Sequence, residues 1–151
     1  MVHRNFEQTE EMVNNLNEMS TKLDDLEEML ARDSEDILGP APNLLRIHYQ
    51  ITRLEAFRNQ TMHQAKKSPQ STRAKLTKYF DRLNRLIGAF DDYILDLARN
   101  ILAIVRAGHP DVVVRLLKVV EAESREDEKV SIYMRHLERR IQLEIHIGNS
   151  S

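Results

Sequence analysis

The chain has 151 residues with four glycines, four prolines, no cysteine and no tryptophan, far below the roughly 7% glycine and 5% proline of ordinary soluble domains. That scarcity excludes a parallel α/β enzyme, which needs glycine at strand-to-helix turns and phosphate loops, and a β-sandwich, which needs turn residues about every 8 to 12 positions. The lack of cysteine excludes disulfides, thiolate nucleophiles and thiolate metal sites, and a charged fraction of 30% against 5% aromatic, with a net charge of −2, favours long solvated helices over a thick globular core.

The first segment, expected over residues 5–37, carries Met12, Leu16, Met19, Leu23, Leu26 and Leu30 at alternating spacings of four and three, with Ile37 one heptad beyond Leu30 and Asp33 interrupting the stripe. Such spacing is the seam of a coiled coil. Gly39, Pro40 and Pro42 then end the helix, because proline cannot continue one and pushes its predecessor out of the α region. A second helix is expected over 43–66, with Asn43 as its cap and Leu44, Ile47, Ile51, Leu54 and Phe57 on one face. Pro69 separates it from a third, expected as one helix over 72–107, whose broad stripe from Leu76 through Tyr79, Phe80, Leu83, Leu86, Phe90, Ile94, Leu97, Ile101 and Val105 can meet two neighbours. Gly108 and Pro110 mark the last break. A fourth helix, 111–145, carries Val113, Leu116, Leu117 and Val120; the run Val112 to Val114 does not make a strand, because helical spacing continues after it. The stretch LERRIQLEIHI after it reads as helix or strand, with helix preferred and fraying after Ile145. At 1.5 Å per residue the first and third helices would each run about 50 Å. The expectation is an all-α fold of elongated antiparallel helices, with an N-terminal coiled-coil helix (1–37), a helical-bundle region (43–145) and a short tail (146–151), the start of a helical rod.

Charge is segregated along this order. Residues 1–36 hold three basic and eleven acidic side chains, 43–107 twelve and five, and the remainder seven and eight. The acidic first helix and the basic second and third could therefore pair with each other or each await another chain, and exposed ion pairs of about 0.2 to 1 kcal/mol do not choose between these. The basic positions Arg46, Arg53, Arg58, Lys66, Lys67, Arg73, Lys75, Lys78, Arg82 and Arg85 are weighed as a nucleic-acid or anionic-membrane surface. They are scattered over forty residues without a reading module or stacking platform, so a solvated helix face is the simpler reading.

No catalytic or metal motif appears. The six histidines, His3, His48, His63, His109, His136 and His146, include no HExxH and no pair on one helix face. Asp91, Asp92 and Asp96 would need Glu-x-x-His partners to form half of a di-metal site, and none occurs. No nucleophile elbow, P-loop or dinucleotide fingerprint is present, so no enzyme, cofactor or metal is expected. No apolar run approaches the roughly 18 residues of a membrane span, and the first segment lacks the apolar stretch of a signal peptide. The expected location is cytoplasmic, and the sequons at Asn59 and Asn149 then have no secretory context.

The stretch from Leu97 to Lys129, with Val105-Arg106, Pro110, Leu116-Leu117 and Val119-Val120 around Lys118, then Glu121, Glu123 and Asp127, resembles a segment of the Sec-six subunit of the exocyst, a vesicle-tethering complex. The runs GPAPNLLRIHYQITRLEAFRNQTMHQAKK and TKYFDRLNRLIGAFDDYILDLARNIL are similar to fungal members of that family, and the likeness extends over residues 7–129. After Lys129 the sequence departs from it. The resemblance implies the N-terminal part of a much longer, non-catalytic subunit that assembles through helices and holds secretory vesicles at the plasma membrane before SNARE-driven fusion. Its implied partners are other exocyst subunits, the Sec-eight subunit foremost; SNARE contacts are expected only of parts of the full-length subunit outside this chain. Nucleic acid is not an expected partner, and the membrane would be met only peripherally, at sites of secretion. The seam Met12, Leu16, Met19, Leu23, Leu26 and Leu30, lacking an intrachain stripe of equal heptad regularity, is the expected partner-binding surface.

Overall fold

A computed structural model describes residues 2–124, together with Arg135, Arg139, Gln142, Leu143 and His146, and for residues 2–13 the backbone alone. Among the described residues the regular structure is helical throughout: α1 (Val2–Glu35), α2 (Leu44–Gln64) followed by a 3-10 turn (Ala65–Lys67), α3 (Gln70–Tyr79), α4 (Asp81–Arg99), α5 (Ile101–Arg106) and α6 (Pro110–Ser124). The three clusters of glycine and proline fall between these helices. Gly108, at φ 92, supplies the left-handed turn that a side chain resists, and Pro110 opens α6 with the fixed φ suited to a first helical residue.

Contacts along the helices fix their directions. Leu16, Asp24 and Glu27, and Asp33 of α1 meet Tyr79, Arg82 and Tyr93 in ascending order, so α4 runs parallel to α1. His48 and Phe57 of α2 meet Phe90 and Phe80 in the reverse order, so α2 runs against both. Arg115 and Glu123 of α6 meet Ala41 and His48, which sets α6 parallel to α2. The result is an up-down-up-down bundle in which α2 and α4 form the centre, with α1 packed on one side and α6 on the other. Their shared core includes Leu44, Ile47, Ile51, Leu83, Leu86, Phe90, Leu97, Leu116 and Val119. Helix α1, at 34 residues, is about 51 Å long and extends past the Leu16 to Tyr79 contact, which gives the fold its elongation.

One expectation changes. The stripe expected as one helix over 72–107 is carried by α3, α4 and α5, separated at Phe80 and Asn100. Phe80 is 1% exposed, with Phe57 edge-on at 6.1 Å and Tyr79 at 5.8 Å. The bend there lets α3 stay against α2 while α4 turns between α1 and α2. Asn100, whose amide nitrogen donates to the Asp96 carbonyl at 2.7 Å, marks the second bend, after which α5 packs on α6. The part of the fourth segment beyond Ser124, including its alternating stretch, and the tail lie outside the described residues except for the five positions named above.

Asn43 occupies the N-cap position of α2 without a side-chain capping bond. Its backbone N–H donates to Asp33 Oδ2 at 2.8 Å and its amide to Oδ1 at 3.2 Å. Asp33 is 6% exposed, so the acid that interrupts the apolar stripe still faces inward and ties the end of α1 to the start of α2. Burial raises the pKa of the Tyr93 hydroxyl, the nearby Asp33 adding to it, and that neutral hydroxyl donates to the Asp33 carbonyl at 3.4 Å. Asp33→Ala is expected to cost about 2 kcal/mol, the worth of hydrogen bonds to a charged acceptor together with a stranded N–H. A denaturant titration would show it as a lower midpoint, with Asp33→Asn keeping part of the loss back.

Candidate assembly surface

The predicted seam divides into two parts. Met19, Leu23, Leu26 and Leu30 are exposed by 2%, 1%, 1% and 6% and belong to the intrachain core, against α2 and α4. This corrects the expectation that these four await another chain. The physical reason is that α1 packs on both α2 and α4, whose buried apolar residues share one core with these four, so no single stripe of matching heptads is required to cover them. Burying each such side chain contributes roughly 1.5 to 3 kcal/mol. Leu16 is half-buried, at the level of the α3–α4 junction, where Tyr79 donates its hydroxyl hydrogen to the Leu16 carbonyl. Met12 lies on α1 upstream of that contact, and its side chain falls outside the described ones. Helix α1 continues as backbone for fourteen residues beyond Leu16, Val2 to Asn15.

The segregated charges meet within the chain at one point. Arg82, on α4, donates through Nε and Nη2 to Glu27 at 2.9 Å for each bond, and also pairs with Asp24. The arginine hydrogen bond holds the Glu27 carboxyl below its ordinary range, while the two carboxylates raise the guanidinium. Solvent reaches this cluster, so it orients α1 more than it stabilises it. Arg82→Ala is expected to cost at most about 1 kcal/mol. A depressed carboxylate stabilises the fold above its unfolded-state pKa and loses that contribution as pH falls through the lowered value. The gap between wild type and variant in thermal melts should therefore close in acid, and in high salt.

On the opposite side, Arg115 donates to the carbonyls of Ala41 at 3.1 Å and Pro40 at 3.2 Å and pairs with Asp111. It fastens α6 over the α1–α2 turn, where buried Ala41 takes a positive φ of 41. His48 Nε2 lies 2.9 Å from Glu123 Oε1, and its ring stacks on Phe90 at 6.1 Å. Partial desolvation, then Glu123 and Asp92, raise the pKa of Asp91. Among the described residues no group of three or more histidine, aspartate or glutamate side chains is placed to hold a metal, and Asp91, Asp92 and Asp96 point to no shared centre. None of the described helices is long and apolar enough to cross a membrane. Sequence reasoning missed Asp33, Arg82 and Arg115 as fasteners; only the opposite charges of the first and third segments hinted at one of them.

Comparison with known proteins identifies relatives over most of the chain. The family described as Exocyst complex component Sec6 matches residues 80–139, which corrects the expectation that the likeness stops at Lys129. The chain is 37% identical over 128 residues to exocyst complex component sec6 of Schizosaccharomyces pombe, a match covering 84% of this chain and 17% of that protein. It is 30% identical over 124 residues to exocyst complex component SEC6 of Saccharomyces cerevisiae, covering 82% of this chain and 15% of that protein. The chain thus spans less than a fifth of the length of these curated relatives. No solved structure matches it. Across the residues it shares with them, the chain belongs to the Sec6 family of exocyst complex components.

Proposed function

We propose that this chain is a non-catalytic assembly segment of an exocyst subunit, contributing by helix packing to the tethering of secretory vesicles at the plasma membrane, on its cytoplasmic face at sites of secretion. The observation that carries the proposal is the match to two fungal Sec6 proteins over more than four fifths of the chain. It is supported by a bundle from which α1 continues past its last described side-chain partner. The surface for assembly is the upstream part of the seam, Met12 and Leu16; Met19 to Leu30 act indirectly, by holding α1 on the bundle. Other exocyst subunits are the partners, and the Sec-eight subunit is the first to test. The basic helices are not read as a nucleic-acid module. Arg58 is engaged with Asn84 at 2.6 Å and Arg82 with Asp24 and Glu27, both in contacts between helices of this chain.

The test is co-purification of the chain with exocyst subunits. Met12→Asp combined with Leu16→Asp is expected to abolish capture while leaving the circular-dichroism melt close to that of the wild type, because Leu16 is only half-buried. Undiminished capture by the double variant would refute the seam assignment, and no capture of any exocyst subunit by the wild type would refute the functional reading itself.

A further inference from the structure

We propose that Ser68 is a phosphorylation site for a proline-directed serine kinase. Among the serines and threonines of the sequence, Ser68 alone is followed by proline. It lies in the break between the 3-10 turn and α3, with φ −81 and ψ 159, and Pro69 follows at φ −55 and ψ 150. Both residues are thus already in the extended, polyproline-like conformation in which a kinase cleft binds an acceptor segment. Proline after the acceptor is favourable there for two reasons: its ring fixes φ, and it has no N–H to strand when the segment is bound. The Ser68 backbone N–H donates to the Ala65 carbonyl at 3.0 Å, and no hydrogen bond holds its hydroxyl among the described residues.

The flanks can open to admit an enzyme. Helix α3 has ten residues, of which only Leu76 is buried, and its N-cap makes no side-chain capping bond. Gln70, Ser71 and Arg73 are exposed and Thr72 is half-buried, so fraying the first turn of α3 uncovers little apolar surface and falls at the low-cost end of local unfolding.

In the reaction the Ser68 Oγ attacks the γ-phosphorus of Mg-ATP. An Oγ–P bond forms as the bond between that phosphorus and the β,γ-bridging oxygen breaks, ADP leaves, and the hydroxyl proton passes to the base of the kinase. The product suits its surroundings. From Ala56 to Phe80 the sequence holds six lysines and arginines (Arg58, Lys66, Lys67, Arg73, Lys75, Lys78) and no acid. A phosphoserine brings about −1.5 to −2 charges, beside Lys66 and Lys67 and just ahead of α3, where negative charge is favoured. Modification would lower the formal charge of the segment from Ala56 to Phe80 from +6 to about +4 without opposing the fold, and so weaken its attraction for an acidic surface. The inference is independent of the assembly surface proposed on α1.

The experiment uses the full chain, a cyclin-dependent kinase and Mg-ATP. Intact mass should show one added phosphate, and fragmentation should place it on Ser68. Ser68→Ala should take up none, and Pro69→Ala, with its helicity checked by circular dichroism, should be modified slower by about tenfold or more. Failure of the wild-type chain to take up phosphate, its appearance on Ser71 or Thr72 instead, or modification of folded Pro69→Ala at the wild-type rate would each overturn the proposal.

Discussion

Leu23→Asp should unfold the bundle rather than merely detach a partner. Leu23 is 1% exposed, between α2 and α4, and its replacement forfeits roughly 1.5 to 3 kcal/mol of burial. A carboxylate in that position either loses its hydration without a partner or takes up a proton, each at a further cost of a few kcal/mol. Together these amount to about 4 to 6 kcal/mol, comparable with the whole stability of many domains, which is about 5 to 15 kcal/mol. Helicity should fall for α2 and α4 as well as α1, and the melting transition should move far down or vanish. Leu16→Asp serves as the control and should cost less than about 1 kcal/mol. A Leu23→Asp chain that melts like the wild type would show that α1 does not pack on α2 and α4 as described.

Phe80→Ala should be nearly as damaging, at about 3 to 5 kcal/mol. Phe80 fills the angle between α3 and α4, with Phe57 and Tyr79 edge-on to its ring, and no small side chain can occupy that volume. The loss should be largest for α3, whose hold on the bundle otherwise rests on Leu76. Urea titration with amide hydrogen exchange would resolve the two parts: global stability falls, and α3 amides exchange ahead of those in α4. A cost below about 1.5 kcal/mol would mean that the neighbouring side chains close over the cavity, against the packing described for Phe80.

How far the sequence disclosed this arrangement depends on the element. The helix ends were legible because Gly39, Pro40, Pro42, Pro69, Gly108 and Pro110 act locally, through φ and the missing proline N–H. The bends at Phe80 and Asn100 were not, because apolar residues continue at helical spacing through Tyr79, Phe80 and Leu83 and again through Leu97 and Ile101; a bend that keeps the stripe buried leaves no trace in its period. The buried face of α1 was correctly placed by Met19, Leu23, Leu26 and Leu30, yet a heptad records that a surface is covered, not by which chain. Asp33 was the most misleading residue. Its charge resembles an interruption, whereas the Asn43 N–H and amide, ten positions away, satisfy it inside the fold, a pairing that no local pattern encodes. For the candidate surface the sequence supplied the stripe, and the structure places Met19, Leu23, Leu26 and Leu30 in the chain's own core, which is why the proposal keeps only Met12 and Leu16.

The parallel placement of α1 beside α4 also has a consequence in time. Asp24 and Arg82 are separated by 58 positions, and ribosomes add about 5 to 20 residues per second. After α1 is synthesised, α2 can fold back on it at once, but the second wall of its groove arrives some 3 to 12 seconds later at those rates. During that interval Met19, Leu23, Leu26 and Leu30 lack their α4 neighbours. Until then α2 alone covers that stripe, so the core of the bundle cannot close before α4 has been made.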